Sequence, residues 1–319
     1  MNQTLRISNK RYKLLLWHFL LLIFLTSSVF GPVFAGNTSK HAIKKILQIT
    51  GVGDNALSLP SDVAVADGKV YVVDGGNHRI VVFDMQGQFL FKFGGKGKAN
   101  GQMNYPVGIF ADANKTVYVA DSGNFRVQVF SALGQYKSKF KIKSGKKNIR
   151  PVDLIRHSES GHIIVTGSNN HSVMEYSSRG KFLRKWGGNG LNQGEFRYPA
   201  TLTELNDGRI AVVDVLNSRV QVFNANGRVS MVVGEWGVLP GQLVRPKGVA
   251  VDKKGNFYIT DSYMNVLQSF TDSGDFISVL AKKDKPFSLV TPVGLSIYNN
   301  KLLLVEMREH RVSVFQLVN

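Results

Sequence analysis

The sequence predicts an all-β protein, a six-bladed β-propeller of four-stranded antiparallel blades, and three observations carry that prediction. Pro60, Pro106, Pro151, Pro199, Pro246 and Pro292 recur at spacings of 46, 45, 48, 47 and 46 residues, a period that marks a repeat architecture. Each proline opens a similar series of short runs; after Pro106 these are Val107 to Ala111, Val117 to Asp121, Arg126 to Phe130 and Tyr136 to Ile142. They are rich in β-branched and aromatic residues, tend to alternate, and are bounded by Gly, Asn, Asp or Pro, as strands are. The last unit stops at Asn319 after only three such runs, while an orphan run from Ile43 to Thr50 precedes the first proline. A four-stranded sheet cannot bury both faces alone, and stacking such sheets around an axis solves this. Ile46 to Ile49 is therefore expected to supply the missing outer strand of the sixth blade and close the ring.

Ahead of the repeats, Arg6, Lys10, Arg11 and Lys13 precede an uncharged apolar run from Leu14 to Leu25, then Gly31-Pro32 and Val33-Phe34-Ala35. That order is a secretory signal peptide spanning residues 1–35, with cleavage after Ala35. The competing reading is an uncleaved anchor, because Leu14 to Ala35 carries no charge and is long enough to span a bilayer. Residues 36–41 are a short linker, and 42–319 form the single propeller. The expected location is outside the cytoplasm, periplasmic or extracellular, with membrane attachment only through residues 14–35 if they are retained.

Of 319 residues, 43% are hydrophobic, which suits a folded core, and 40 Lys and Arg against 22 Asp and Glu give a net charge of +18. That charge favours acidic partners or anionic surfaces. The absence of cysteine excludes disulfides, thiolate zinc sites, iron–sulfur clusters and cysteine nucleophiles.

Three units share Asp-x-x-Asn-x-Arg-[Ile/Val]: Asp74, Asn77 and Arg79; Asp121, Asn124 and Arg126; Asp214, Asn217 and Arg219. Each is followed by a Phe and, four residues later, a Gly: Phe83/Gly87, Phe130/Gly134 and Phe223/Gly227. On these residues the chain resembles the NHL-repeat family from Pro60 to Asn319. Three units depart from the pattern: blade three has Gly167 and Ser172, blade five has Val266 after Asp261, and blade six has Glu306 with Arg311. The motif reads as a structural turn in which Asp and Arg pair across a loop and the Asn takes the left-handed backbone. The alternative is a ring of ligand-binding carboxylates facing the channel, with Asp121, Asp214 and Asp261 as its members.

His78, His171 and His310 share one register in that loop. Three histidines could hold zinc with an open fourth position, but exposed turn residues are the reading favoured here. Peptidyl-amidoglycolate lyases, which are similar in architecture, are expected to place zinc-binding histidines directly after the blade-opening prolines. Those positions here are Ser61, Val107, Val152, Ala200, Lys247 and Val293, and none can bind zinc. No catalytic residue or cofactor is expected, with a channel-bound divalent metal and a hydrolase or lyase reaction as the alternative. The inner strands offer Val63, Ile109, Leu154, Leu202, Val249 and Leu295 to the channel, which carry no chemistry.

Specificity in repeat scaffolds lies in what the repeats do not share. The connections that follow blades one, three and four run from Gly94-Gly95, Gly187-Gly188 and Gly234 to a second Gly and then Gln or Glu. Blades two and five are followed instead by Lys143 to Arg150 and by Lys282, Lys283, Asp284, Lys285 and Pro286. Propeller topology places these connections and the Asp-x-x-Asn-x-Arg loops on one face. That face collects Lys96, Lys98, Lys143, Lys146, Lys147, Arg150, Arg197, Arg245, Lys282, Lys283 and Lys285 against Asp54, Glu195, Glu235 and Asp284. The alternating Lys137, Lys139 and Lys141 read as edge lysines that discourage strand-to-strand association. The expected function is a non-catalytic, monomeric platform whose basic loop face docks a protein or an anionic envelope component. Nucleic acid is disfavoured, because export removes it from the compartment and the aromatic residues fall within the strand runs rather than standing free as stacking platforms.

Overall fold

Proline suits the first residue of an inner strand, where its fixed φ fits and its missing N–H is not needed by the ladder. A computed structural model describes residues 43–282, 285–286 and 289–317. The proposed signal segment and linker lie outside the described residues. Blade one comprises Pro60–Ala66, Lys69–Asp74, Arg79–Asp84 and Phe89–Gly94; blade two Pro106–Ala111, Thr116–Asp121, Arg126–Ser131 and Tyr136–Lys141. Blade three comprises Pro151–Arg156, Ile163–Gly167, Ser172–Tyr176 and Phe182–Gly187; blade four Pro199–Glu204, Ile210–Asp214, Arg219–Phe223 and Val229–Val233. Blade five comprises Pro246–Val251, Phe257–Asp261, Val266–Phe270 and Phe276–Val279. Each is a four-stranded antiparallel sheet in chain order.

The sixth sheet holds Pro292–Tyr298, Lys301–Glu306 and Arg311–Leu317, and its outer strand is Ile43–Ile49. Ile43 pairs with Leu317 and Ile49 with Val312, antiparallel, so the ring closes as the orphan run predicts. Six apolar clusters fill the six seams between neighbouring blades. In the seam between blades six and one, Val70, Val72, Val81 and Phe83 pack on Leu303, Val305, Val312 and Val314, and Ile49 joins them. The closing strand thus buries apolar surface against the first blade as well as pairing with the last, and burial of this kind is the main driving force for folding.

Every inner strand slips register between its proline and the residue three positions later. Such irregularities re-aim side chains. Here they free the third residue of each strand (Asp62, Gly108, Asp153, Thr201, Gly248, Gly294) to meet the next blade.

Candidate functional site

The repeated loop is built by a latch. Asp74, Asp121, Asp214 and Asp261 end their strands and are fully buried. In blade two, Asp121 Oδ2 accepts from Arg126 Nε at 2.7 Å and Asn124 Nδ2 at 2.8 Å, while Oδ1 accepts from the backbone N–H of Asn104 at 2.7 Å. Arg126 also donates to the carbonyls of Lys98, Ala99 and Gln102. Asn104, Lys98, Ala99 and Gln102 belong to the connection arriving from blade one, so one carboxylate and one guanidinium stitch that connection to blade two. Asp74 with Arg79, and Asp214 with Arg219, repeat the arrangement at 2.7 and 2.9 Å. In blade six, Glu306 takes both Arg311 Nε and Nη2, at 2.8 and 2.9 Å.

These geometries set aside the alternative of a carboxylate ring and correct one expectation. Asp121, Asp214 and Asp261 do not face the channel: they lie under the inter-blade connections, with their oxygens occupied by protein donors. The left-handed residue is not the motif Asn but the one after it: His78, Phe125, His171, Ser218, Asn265 and His310 all have φ between 51° and 58°. The side chains of Asn77, Asn124 and Asn217 bond the Asp carboxylate instead of their own main chain. Burial works to raise the Glu306 carboxyl, but the hydrogen bonds from Arg311 and Ser313 outweigh it and hold the group below the usual range. At Asp214 burial outweighs the hydrogen bonds from the Arg197 N–H, Asn217 and Arg219, and the carboxyl is raised.

The histidines of that register are inter-blade clasps: His310 is exposed, as a turn residue is expected to be, His171 is partly exposed, and His78 is buried. His78 Nδ1 accepts the N–H of Tyr105 at 2.9 Å, His171 Nδ1 that of Tyr198 at 3.1 Å, and His310 Nδ1 that of Leu59 at 2.9 Å. Asn265 does the same for Thr291 with its side-chain oxygen. Each donor immediately precedes a blade-opening proline and itself adopts a left-handed φ of 46–71°. Arg150 and Arg245 hold that position in blades three and five without a left-handed φ, and the loops before them carry Phe125 and Ser218. Among the described residues, no group of three or more His, Asp or Glu side chains is arranged to hold a metal.

The channel is a cavity of about 280 Å³ walled by the inner strands, and Val63, Ile109, Leu154, Leu202, Val249 and Leu295 all line it as expected. Among the other lining residues, sequence reasoning misses the buried carboxylates Asp62 and Asp153. Asp62 Oδ2 accepts the N–H of Ile109 in blade two, and Asp153 Oδ2 that of Leu202 in blade four. Burial raises the Asp62 carboxyl well above its ordinary range and the nearby Asp153 charge adds to it; burial pushes Asp153 to about 7. The signal is the third position of each repeat, which reads Asp, Gly, Asp, Thr, Gly, Gly around the ring. The glycines make room: a Cβ on Gly108 would lie 2.5 Å from the Val152 carbonyl oxygen, and one on Gly294 would strike an Asp62 carboxylate oxygen.

On the connection face, Lys96, Lys98, Lys143, Lys146, Lys147, Arg150, Arg197 and Arg245 are exposed. The connections after blades one, three and four are pinned by isolated parallel bridges, Lys96 to Met103, Asn189 to Phe196 and Trp236 to Leu243. The connection after blade two forms a small hairpin of Lys143–Ser144 with Lys147–Asn148, and the one after blade five pairs Ala281–Lys282 with Lys285–Pro286. Lys283 lies outside the described residues. The aromatic residues do not all belong to strands: Tyr105, Tyr198, Trp236 and Tyr263 are 61%, 47%, 76% and 65% exposed on this face, with Val238 and Leu239 beside Trp236.

The NHL repeat family model matches residues 57–83 and 103–130, which hold the three inner strands of blades one and two and the loops between them. The chain is a six-bladed propeller carrying NHL repeats. Over 181 residues the propeller is 32% identical to the protein brain tumor of Drosophila melanogaster, covering 56% of this chain and 13% of that one. Over 114 residues it is 26% identical to the human E3 ubiquitin-protein ligase NHLRC1, covering 36% of this chain and 27% of that one. The chain thus spans well under a third of either relative. Among solved structures, a streptogramin B lyase superposes with a TM-score of 0.60 at 15% identity, over 87% of this chain and 98% of that one. That likeness is one of fold.

Proposed function

We propose that this propeller is an exported, non-catalytic docking platform that binds a protein or an anionic envelope component through its connection face. The observation that carries the reading is the division of labour among polar residues. The repeated Asp, Asn, Arg and His side chains are consumed in latches and clasps, whereas the non-repeated cations and the exposed Tyr105, Tyr198, Trp236 and Tyr263 gather on one face. Exposed Tyr, Trp and Arg are the side chains that dominate protein interfaces. The similarity to a ubiquitin-protein ligase, whose name places it among proteins acting on proteins, supports the same reading. The order of cations, apolar run and small residues in 1–35 supports export.

The test is affinity capture from the native cell envelope with the chain and with a variant carrying Glu at Lys143, Lys146, Lys147, Lys282 and Lys283. A partner retained by the first and lost by the second is the expected result; identical capture by both would remove the basic face from the interaction. A phosphatase reporter fused after residue 40 tests export, being active only outside the reducing cytoplasm.

A second reading, a hydrolase or lyase working in the channel with a divalent metal, is favoured by one observation, the buried Asp62 and Asp153 in its wall. A stoichiometric metal in the purified protein, lost in Asp62→Asn or Asp153→Asn, is the result that supports it.

A further inference from the structure

Blade three is the one unit that lacks both members of the latch. Gly167 and Ser172 stand where the other full motifs have Asp and Arg, and Asn169 takes over the backbone: its Oδ1 accepts the N–H of Arg150 at 2.9 Å and its Nδ2 donates to the Asn148 carbonyl at 3.1 Å. The arriving hairpin is thereby held without a carboxylate. A groove of about 510 Å³ lies between the blade-two loop and the start of blade four, lined by Phe125, Arg150, Ser168, His171 and Tyr198 among others and containing no acidic residue. Arg79, Arg126, Arg219 and Arg311 spend their guanidinium groups inside the protein. Among the described residues, the exposed Arg150 guanidinium has no carboxylate partner, and its one described contact is the Phe125 ring at 5.8 Å. Across the groove His171 meets Tyr198 edge to face.

We propose that this groove receives an acidic side chain from an extended segment of a protein partner, its carboxylate pairing with Arg150 between the rings of Phe125 and Tyr198. An arginine fork matches a carboxylate through two parallel hydrogen bonds, and stacking on an aromatic ring holds the fork in place. Exposed Lys143, Lys146 and Lys147 stand in the hairpin whose Asn148 lines the groove and raise the local positive potential, which steers an acidic segment inward. A peptide fits better than a nucleic acid strand, because Asp54 and Glu235 interrupt the cations elsewhere on the face and would repel a continuous polyanion. The inference rests on the connection face being the docking surface and names the chemistry docked at one place on it.

The test uses the full chain and a fluorescein-labelled octapeptide of alternating Glu and Ala, titrated at low and at high salt. Binding that weakens with salt is expected, with affinity reduced about tenfold in Arg150→Gln. Lys254→Gln, an exposed lysine in the turn after Pro246–Val251 at the opposite end of the blades, changes affinity by about twofold at most, as a single exposed charge does. Arg150→Gln breaks no latch, so its melting temperature stays at the unsubstituted value. A peptide with Gln in place of Glu does not compete, and neither does an oligouridylate of the same length. Unchanged affinity in Arg150→Gln, or displacement of the peptide by oligouridylate at lower concentration than by unlabelled peptide, overturns the proposal. If envelope capture still depends on the lysines while Arg150→Gln binds peptide normally, the platform stands and the groove falls. If capture is indifferent to the lysines as well, the platform falls with it.

Discussion

Replacing Asp121 with alanine removes one buried carboxylate and strands several groups at once. The N–H of Asn104, Nδ2 of Asn124 and Nε2 of Gln128 lose an acceptor. The Arg126 guanidinium, on a side chain only 6% exposed, loses its counter-charge and keeps only the carbonyls of Lys98, Ala99 and Gln102. Breaking a buried ion pair from one side costs about 3–5 kcal/mol, against about 0–1 kcal/mol for an exposed pair. Each orphaned donor adds a cost of about 1–3 kcal/mol where water cannot reach it, but the terms overlap, and about 4 kcal/mol is the working figure. At about 2 °C per kcal/mol for a domain of this size, Asp121→Ala lowers the melting temperature by about 8 °C. Urea unfolding followed by circular dichroism gives the free energy, provided the slope with denaturant is unchanged. Asp121→Ala combined with Arg126→Met removes the stranded cation too, and is expected to recover about 1 kcal/mol or more of the loss. A single-variant cost below about 1 kcal/mol, or a double variant weaker than the single, would refute the latch as the element that holds the connection to blade two.

The clasp and the channel predict opposite responses to pH. His78 is mostly buried and must be neutral at Nδ1 to accept the Tyr105 N–H; burial, with the Lys96 charge, lowers its pKa below the ordinary 6.5. Just below pH 6.5 the unfolded chain therefore binds a proton that the folded chain refuses, and this part of the stability is lost as pH falls. His78→Leu costs about 1–2 kcal/mol at neutral pH and removes that acid-side loss, read from urea midpoints at two pH values. Asp153, pushed from 3.8 to about 7 by burial, keeps its proton in the folded chain while the unfolded chain ionises. Its contribution is present below 3.8 and is lost as pH rises toward 7, so Asp153→Asn is expected to be more stable than the unsubstituted chain above neutrality and equal to it in acid. A flat difference across that range would count against the raised carboxyl. Gly108→Ala forces a Cβ to within 2.5 Å of the Val152 carbonyl oxygen at the channel wall. A loss of about 1–3 kcal/mol is expected, and a neutral result in thermal unfolding would show that the wall yields there.

The period of the six prolines, the alternating strands and the orphan run at Ile43 determined the architecture from sequence alone, down to the strand that closes the ring. They could do so because a repeat interacts mainly with its neighbours, so spacing along the chain becomes position around the ring. The end of the blades at which each connection emerges was equally legible, since blade topology assigns each loop to an end without knowledge of side chains. What each repeated side chain touches was decided only in three dimensions. From its place in the repeat Asp121 could face the channel, but the register slips and arriving connections place it under a loop from the preceding blade. His78 has the sequence surroundings of a surface turn, and its partner is the N–H of Tyr105 in the approach to the next blade. Asp62 and Asp153 are inconspicuous because each stands among glycines and hydrophobic residues in the repeat alignment; only ring closure buries both in one channel wall and makes their charges felt. The sequence specifies neighbours along a strand, while hydrogen bonds across a seam depend on how blades twist and stack, a property of the assembled ring rather than of any one repeat.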